Sequence, residues 1–259
     1  MSFPHTILIA ASLAFAAKTF AWLLQRRRGN AGIVDAVWAF TLGGLAVLFA
    51  AAGTAPDSTR LLLGAMGGLW GARLGLYLWR RNWTAPEDFR YAELRRRWGA
   101  SAQMKMFGFF QFQNLFTLLL AASAFAPAAY RGDAPSSAAV ATALALWLLA
   151  VGGEAVADAQ MRDFRANPAN RGRVCRDGLW RWSRHPNYFF ECLHWLAYLP
   201  LALGAPWGWT ALAAPLVMAL LLTKISGMPL LEAELVRRKP AYAEYIRTTS
   251  PLIPWAPKA

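Results

Sequence analysis

The chain has 259 residues, of which 57% are hydrophobic and 16% charged, and its formal net charge is +13. This composition argues against a soluble globular domain, because several stretches reach the ~20 apolar helical residues that cross a bilayer core. Nucleic-acid binding is also not expected, because the basic residues follow a pattern typical of membrane topology.

The apolar runs predict an all-α polytopic membrane protein with seven transmembrane helices. Helices are expected because backbone groups in lipid must form their hydrogen bonds within the segment. No repeat, low-complexity tail or Pro/Gly-rich linker divides the sequence, so we expect a single membrane domain over residues 1–259. The predicted spans lie near 5–24, 33–53, 60–79, 107–127, 138–157, 188–204 and 207–226.

Lysines and arginines alternate between the predicted loops. Clusters follow the first, third, fifth and seventh spans, including Arg26–Arg28 and Arg95–Arg97, whereas the intervening loops carry little more than Arg60 and Arg131. The positive-inside rule then places the amino terminus outside and the carboxyl terminus in the cytosol. Cys175 and Cys192 fall on the predicted cytosolic side, where thiols stay reduced, so neither a disulfide nor a metal site is expected.

Polar residues within the spans recur at three- and four-residue steps and therefore share helix faces. A polar face in a membrane helix needs a cavity or another polar face, because lipid offers no partner. These faces carry Trp70, Arg73, Tyr77 and Arg80 on the third span, Gln111 and Asn114 on the fourth, Glu154, Asp158, Arg162 and Arg165 on the fifth, and Asn187, Glu191 and His194 on the sixth.

Each of these polar residues also has a structural interpretation. Arg73 either contributes to a site or reaches the interface and pairs with a carboxylate, and Glu154 is equally suited to an ion pair that holds the fold. Asp35 either belongs to a substrate site or stabilises a helix amino terminus. Gln111 and Asn114 either contact a ligand or hydrogen-bond between helices.

The segment from Asp158 to Glu191 is the most informative part of the sequence. It places seven arginines, a histidine, three asparagines and several carboxylates between two apolar runs. So many cations need water, lipid headgroups or a highly charged ligand. The segment therefore predicts a phosphate-bearing cofactor held at the membrane surface.

Three groups of motifs stand out in the sequence. They are Asp158-x3-Arg162-x2-Arg165 followed by Gly178-Leu-Trp-Arg-Trp-Ser-Arg-His-Pro-Asn-Tyr-Phe-Phe-Glu191, the ending Pro240–Trp255, and the amino-terminal Gly32-Ile-Val-Asp35-Ala-Val-Trp38 with Glu87-Asp-Phe-Arg-Tyr91…Arg95…Trp98-Gly99. Together they resemble the steroid 5α-reductase superfamily, and most closely its bacterial branch, usually filed as a domain of unknown function. The resemblance covers nearly the whole chain and is strongest from Asp158 onward. A shorter Arg-His-Pro-x-Tyr-x-x-Glu element also occurs in isoprenylcysteine carboxyl methyltransferases and some sterol reductases.

This resemblance implies a seven-helix enzyme of the bacterial inner membrane that binds NADPH from the cytosolic side. It would reduce a carbon–carbon double bond conjugated to a ketone, in 3-oxo-Δ4 steroids or similar lipophilic enones. Lipids would be its other partners, it would act as a monomer, and cofactor binding would lie mainly in 104–259. The implied cofactor-binding residues are Asp158, Arg162, Arg165, Arg173, Arg184, His185, Asn187, Tyr188 and Glu191, with Gln111 and Asn114.

Physical chemistry agrees with these assignments, because phosphates need forked guanidinium donors and ribose hydroxyls need buried polar groups. A Rossmann domain is not expected, since no Gly-x-Gly-x-x-Gly follows a strand. Reduction of an enone also requires a donor near the carbonyl oxygen, where negative charge develops. For this catalytic role we rank Asp35 first, Tyr91 second and Tyr77 third. Trp38, Trp70 and Arg73 are the candidate substrate-binding residues, although the tryptophans are equally suited to anchoring at the interface.

Two other functions fit the shorter element or the composition. One is an S-adenosylmethionine-dependent membrane methyltransferase of the isoprenylcysteine type, which would leave the dense arginine segment without a role. The other is a non-catalytic sterol- or lipid-binding membrane protein, which would take no cofactor.

Overall fold

A computed structural model describes residues Met1–Lys258, and every regular element in that range is helical. Six helices are long and apolar enough to cross a membrane, which supports the prediction of an all-helical, multi-pass membrane protein. They are Phe3–Arg28, Ile33–Ala52, Asp57–Thr84, Phe89–Ala129, Ser137–Ala166 and Gly208–Arg238.

The first half of the chain forms five of the helices. They are α1 (Phe3–Arg28), α2 (Ile33–Ala52), α3 (Asp57–Thr84), α4 (Phe89–Trp98) and α5 (Ala102–Ala129). A turn of 3₁₀-helix at Gly99–Ser101 links α4 to α5. Helix α1 is followed by Gly29, whose φ of 67° is the left-handed conformation that closes many helices, and the Gly29 amide donates to the Gln25 carbonyl.

Six further helices follow: α6 (Ser137–Ala166), α7 (Pro186–Leu196), α8 (Leu199–Ala202), α9 (Ala213–Leu220), α10 (Met228–Arg238) and α11 (Tyr242–Thr248). Short 3₁₀ segments lie at Pro168–Asn170, Gly178–Arg181 and Gly208–Leu212, and Leu221–Ile225 is π-helical. Helix α6 continues beyond the predicted end at residue 157, so Asp158, Arg162 and Arg165 all lie on it.

The predicted span over 188–204 is divided into two short helices. Helix α7 has 11 residues and α8 has four, and each is shorter than the ~20 residues that cross a bilayer core. The count of seven spans therefore stays a prediction.

The chain divides into two compact units. The first comprises Met1–Ser137 and Tyr198–Ala214, and the second comprises Ala138–Ala197 and the chain from Pro215 onward. The single domain inferred from the sequence stays a prediction, and the two units are described separately below.

Close packing of α2 against α3 organises the first unit. A Cβ atom added at Gly71 would lie 2.6 Å from the Cα of Gly43, and one added at Gly67 would lie 2.2 Å from the Cβ of Ala46. Small residues four positions apart allow helix backbones to approach closely in membranes. The Gly67-x3-Gly71 stripe on α3 therefore fixes how α2 lies against it.

A buried apolar cluster also holds the helices of the first unit together. It joins α1, α2, α4 and α5 through Ala21, Ala31, Ile33, Val34, Val37, Tyr91, Met106 and Phe110. We refer to these eight residues as the Tyr91 cluster.

In the second unit, α6 and α7 pack together through a glycine. The ring of Phe190 on α7 lies where a side chain at Gly153 on α6 would project, 2.3 Å from an ideal Cβ. The Trp180 indole also donates to the carbonyl of Ala157 at 3.0 Å. These contacts fix the α6 face that carries Glu154 and Asp158.

Candidate functional site

Asp35 and Tyr91 form a hydrogen-bonded pair in the first unit. Asp35 lies in the first turn of α2, and the hydroxyl of Tyr91 on α4 donates to its Oδ1 at 2.8 Å. Arg90 Nη2 lies 3.6 Å from Asp35 Oδ2. Tyr91 is only 6% exposed, whereas 28% of the Asp35 side chain remains accessible. The two residues ranked first and second as proton donors therefore belong to one arrangement.

Helix α4 positions Tyr91 through its amino-terminal cap. The Asp88 carboxylate accepts a hydrogen bond from the Arg90 amide at 3.0 Å and from Arg90 Nε at 2.9 Å. Burial alone would raise the pKa of Asp88, but the hydrogen bonds and charge of Arg90 outweigh it and hold the pKa below its usual value. Asp88 thus holds the Arg90 guanidinium that also faces Asp35.

A second polar network attaches α4 to its neighbours. Arg95 donates to Glu87 Oε1 at 2.8 Å and to Gln25 Oε1 on α1 at 2.9 Å. Glu87 Oε1 also accepts from the amide of Ala31, just before α2, at 2.8 Å. The network connects α1, the start of α2 and α4, and therefore restrains the helix that carries Tyr91.

An open apolar groove of about 550 Å³ adjoins the Tyr91 cluster. Val37 belongs to both, and Trp79 lines the groove while packing against the cluster. Phe20, Phe40 and Thr41 are also in its lining. Its size falls within the range of small-molecule sites, and its lining suits a lipophilic ligand.

The predicted substrate-binding and third catalytic residues lie outside that lining. Trp70 is fully buried and meets the ring of Trp38 edge-on, with centroids 6.3 Å apart. Arg73 and Tyr77 are half-buried on α3, and the Arg81 guanidinium lies over the Tyr77 ring at 5.8 Å. A role for these four residues in substrate binding or catalysis stays a prediction.

Gln111 and Asn114 hydrogen-bond at the α1–α5 interface. Gln111 Nε2 donates to Thr19 Oγ1 on α1 at 3.1 Å, and Asn114 Nδ2 donates to Gln111 Oε1 at 2.9 Å. These contacts match the interhelical role considered from the sequence. Their part in cofactor binding is untested and stays a prediction.

The neighbouring pair Lys18 and Gln113 was not recognised from the sequence. Lys18 is fully buried on α1, and its ammonium donates to Gln113 Oε1 on α5 at 3.0 Å. The signal was present, because a lysine in the middle of an apolar span marks a functional site by default. It was overlooked because the surrounding run is long enough to be read as a continuous span.

Buried carboxylates lie on the facing helices of the second unit. Glu154 and Asp158 are 4% and 7% exposed on α6, and Glu191 is 6% exposed on α7. Glu191 Oε1 accepts a hydrogen bond from the Trp195 indole at 3.0 Å. Buried carboxylates require polar partners, and such groups can accept hydrogen bonds from ribose hydroxyls.

Arg184 and His185 are engaged within the protein. Arg184 Nε donates to Glu232 Oε1 at 2.7 Å, and its Nη1 donates to the carbonyl of Ile246 at 2.9 Å and to that of Thr249 at 2.5 Å. His185 Nε2 lies 2.8 Å from Glu232 Oε1, and its ring stacks on Tyr188. These donors already have internal acceptors, and a part for Arg184, His185 and Tyr188 in cofactor binding stays a prediction.

The carboxyl-terminal segment fixes the loop that precedes α7. The Tyr245 hydroxyl donates to the carbonyls of Trp180 and Ser183. Burial among these groups raises the Tyr245 pKa well above its usual value, so this hydroxyl remains a donor. Ser183 Oγ donates to the Leu252 carbonyl at 2.8 Å, and the Trp255 amide donates to the Trp182 carbonyl at 2.9 Å.

Three arginines predicted to bind the cofactor have exposed side chains. Arg162 pairs with its neighbour Asp163 at 3.0 Å, while Arg165 and Arg173 make no side-chain hydrogen bond or ion pair within Met1–Lys258. Asn187, at the start of α7, is half-buried, and its amide makes no side-chain hydrogen bond in that range. Arg165, Arg173 and Asn187 are therefore available to a ligand.

The second unit has some of the groups that binding of a dinucleotide phosphate requires. Free guanidinium groups at Arg165 and Arg173 provide the charged donors that phosphates need, and buried Asp158 and Glu191 provide acceptors for hydroxyls. No group of three or more His, Cys, Asp or Glu in the described part of the chain is arranged to hold a metal ion.

Comparison with known proteins gave one family. The model of a family described as "Protein of unknown function (DUF1295)" matches residues 21–249. Neither the search of curated proteins nor the search of solved structures gave a match.

Proposed function

The chain belongs to the DUF1295 family, and on that premise we propose that it is an NADPH-dependent membrane reductase. Its substrate would be a lipophilic enone such as a 3-oxo-Δ4 steroid, whose conjugated carbon–carbon double bond is saturated. The motifs that resemble the steroid 5α-reductase superfamily lie almost entirely within the matched residues. The observation that carries the proposal is the 2.8 Å hydrogen bond from the Tyr91 hydroxyl to Asp35, beside Arg90.

The Tyr91–Asp35 pair provides what enone reduction requires of the protein. Negative charge develops on the ketone oxygen as the β-carbon is reduced, and a hydroxyl that donates to that oxygen stabilises the charge. Tyr91 carries a single proton, which it donates to Asp35 here and would turn to the ketone oxygen when substrate binds, while Arg90 faces the Asp35 carboxylate. The adjoining apolar groove would bind the lipophilic part of the substrate.

NADPH, when bound, supplies the two electrons and one hydrogen that the β-carbon gains. Arg165 and Arg173 would bind its phosphates, Asn187 its carboxamide or hydroxyl groups, and Asp158 and Glu191 its ribose hydroxyls. We do not assign phosphate binding to Arg184, because its donors are engaged by Glu232 and two carbonyls. The second hydrogen of the product arrives as a proton at the α-carbon.

The proposed topology completes this assignment. Seven spans, with residues 188–204 as the sixth, place the amino terminus outside and the carboxyl terminus in the cytosol. The alternation of basic loops supports that orientation. It puts the exposed arginines between α6 and α7 in the cytosol, where NADPH is available. We further propose a monomer in a bacterial inner membrane.

The purified protein in lipid nanodiscs tests this function directly. It is incubated with NADPH and a panel of lipophilic enones, and products are identified by mass. We expect a gain of two hydrogens in at least one enone, loss of that activity in Tyr91→Phe, and its retention in Tyr130→Phe. Tyr130 is a suitable control because its hydroxyl also makes a hydrogen bond in the first unit, to Thr6 at 2.7 Å.

The same preparation separates the alternatives. Methyl transfer from S-adenosylmethionine to a prenylated thiol substrate, with no NADPH consumption, would replace the reductase by a methyltransferase. Sterol binding with neither turnover nor nucleotide binding would indicate a non-catalytic lipid-binding protein.

A further inference from the structure

Three cations of the second unit have no counter-charge within the protein. Arg165 in the last turn of α6, Arg173 in the loop that follows and Lys239 directly after α10 form no ion pair among residues Met1–Lys258. The carboxylates near them in sequence do not neutralise them: Asp163 pairs with Arg162, Glu234 with Arg237 and Arg238, and Glu244 with Arg176, while Asp177 pairs with none of the three. The three positive charges are therefore available to a bound anion.

A series of hydrogen bonds brings the three positions together. The side-chain amide of Asn170 donates to the carbonyl of Phe164, one residue before Arg165, at 3.0 Å. The Asn170 carbonyl accepts from the backbone amide of Arg173 at 3.0 Å. The Arg173 carbonyl in turn accepts from the Lys239 ammonium at 2.6 Å. The end of α6, the loop and the residue after α10 are therefore tied to one another.

Lys239 is the member of this group that the sequence did not indicate. Its side chain is half-buried, and its ammonium uses one of three donors on the Arg173 carbonyl, which leaves two for a ligand. Burial and the positive charge of Arg165 both lower the pKa of Lys239. This direction is expected where cations lie close together without a carboxylate. A group of this kind favours a ligand with more than one negative charge.

We propose that Lys239 is a further cofactor-binding residue, which completes with Arg165 and Arg173 a site of three cations for the 2′-phosphate of NADPH. A phosphate monoester carries a charge of about −1.5 to −2 at neutral pH. Each phosphate of the pyrophosphate bridge carries a single charge, so the 2′-phosphate is the group that best matches three cations. This inference rests on the proposed reductase function for the identity of the cofactor, and it adds the group that distinguishes NADPH from NADH.

Calorimetric titration with NADPH and with NADH tests this site in the purified protein. Nanodiscs of phosphatidylcholine are used, because this lipid has no net charge. Lys239→Gln removes the charge but keeps an amide that can donate to the Arg173 carbonyl, so the contact that ties the loop to α10 is retained. We expect Lys239→Gln to weaken NADPH binding about tenfold or more, as for loss of one charge-assisted hydrogen bond, and to leave NADH binding unchanged. Lys239→Arg, which keeps the charge, should retain most of the NADPH affinity.

Arg238→Ala is the matched control. It removes the adjacent positive charge, which Glu234 already neutralises, and should leave the affinity for both nucleotides unchanged. A folded Lys239→Gln protein that binds NADPH as the wild type does, or that loses affinity equally for both nucleotides, overturns the proposal. Unchanged NADPH affinity together with weaker binding of phosphatidylglycerol would assign the three cations to phospholipid headgroups instead. If Lys239→Gln does not fold, Lys239→Met is put through the same comparison.

Failure of the proposed function gives a different result, because nucleotide binding is measured without an enone. Wild-type protein that binds NADPH but reduces no enone removes the reductase proposal, and the variants still decide the role of Lys239. An active wild type whose Lys239→Gln variant binds NADPH normally leaves the reductase proposal in place and removes Lys239 from the site.

Discussion

Tyr91 donates a hydrogen bond of 2.8 Å to Asp35, 56 residues earlier in the chain, and this contact joins α4 to the first turn of α2. The sequence offered these residues as competing proton donors. Because the two residues are paired, loss of either one should also impair the contribution of the other to activity.

We expect Tyr91→Phe and Asp35→Ala each to lower the rate of enone reduction by roughly two to three powers of ten. This is the usual loss when one preorganised donor to a developing oxyanion is removed. Asp35→Asn should retain part of the activity, because its amide still contacts the Tyr91 hydroxyl. NADPH affinity, measured by thermal shift, should change little. If Asp35→Ala retains a near-normal rate while Tyr91→Phe is inactive, Tyr91 acts without its partner.

Cofactor selectivity tests the exposed arginines. Arg165→Ala and Arg173→Ala should weaken NADPH binding by about 1.5–3 kcal/mol for each charge-assisted hydrogen bond lost. Calorimetric titration with NADPH and NADH measures the effect, and the residue that binds the 2′-phosphate should affect NADPH alone. Arg171→Ala is the control, since its side chain is exposed in the same loop. Equal affinity of the wild type for both nucleotides would contradict recognition of the 2′-phosphate.

Breaking the Arg184–Glu232 pair should destabilise the second unit. Arg184 is 7% exposed, and Glu232→Gln would leave its guanidinium without a counter-charge, at a cost on the order of 3–5 kcal/mol. Glu234→Gln, two residues further along α10, breaks pairs with exposed Arg237 and Arg238 and should lower stability much less, because solvent screens those pairs. Apparent melting temperatures in detergent compare the two. Similar melting temperatures for the two variants would show that the buried pair stabilises the protein no more than the exposed pairs do.

Helix packing in the first unit predicts a steric effect at Gly71. Gly71→Ala places a methyl group 2.6 Å from the Gly43 backbone, so we expect a loss of about 1–3 kcal/mol from overpacking. Gly44→Ala, on the next residue of α2 after Gly43, meets nothing within 4 Å and should be neutral or slightly stabilising. Thermal unfolding of both variants in the same detergent separates the steric effect of the added methyl group from the effect of alanine on helix propensity.

Asp88 predicts a specific dependence of stability on pH. Its folded pKa is lowered, so its contribution is complete above the ordinary aspartate pKa and is lost as pH falls through the lowered value. Asp88→Ala, which also removes the cap of α4, should cost about 1 kcal/mol at neutral pH. The difference in melting temperature between wild type and variant should shrink in acid. A difference independent of pH would mean that the Asp88 charge contributes nothing.

Much of the fold follows from composition, because long apolar runs have few alternatives to membrane helices. The run over 188–204 is the exception: α7 ends at Leu196 and α8 begins at Leu199, a break that hydropathy alone does not reveal. The Asp35–Tyr91 pair also required tertiary information, since residues on separate helices meet only through packing.

Local sequence could not separate the arginines by role. Arg165 and Arg184 belong to the same basic segment, yet one is exposed and the other is buried against Glu232. The difference arises from acceptors 48 to 65 residues downstream of Arg184. Lys18 differs from these arginines, because a lysine within an apolar span is by itself a sequence signal for a buried polar contact.

The loop before α7 has a consequence for how the protein is made. The Ser183 hydroxyl and the Arg184 side chain find their partners 69 and 65 residues later in the chain. During synthesis the ribosome must therefore release Leu252 before this loop can reach its final conformation. Until Thr249 has emerged, Arg184 lacks part of its set of acceptors, and the loop that precedes Asn187 and Glu191 is not yet fixed. Maturation of the second unit is thus a late event, timed by translation of residues that themselves belong to no proposed site.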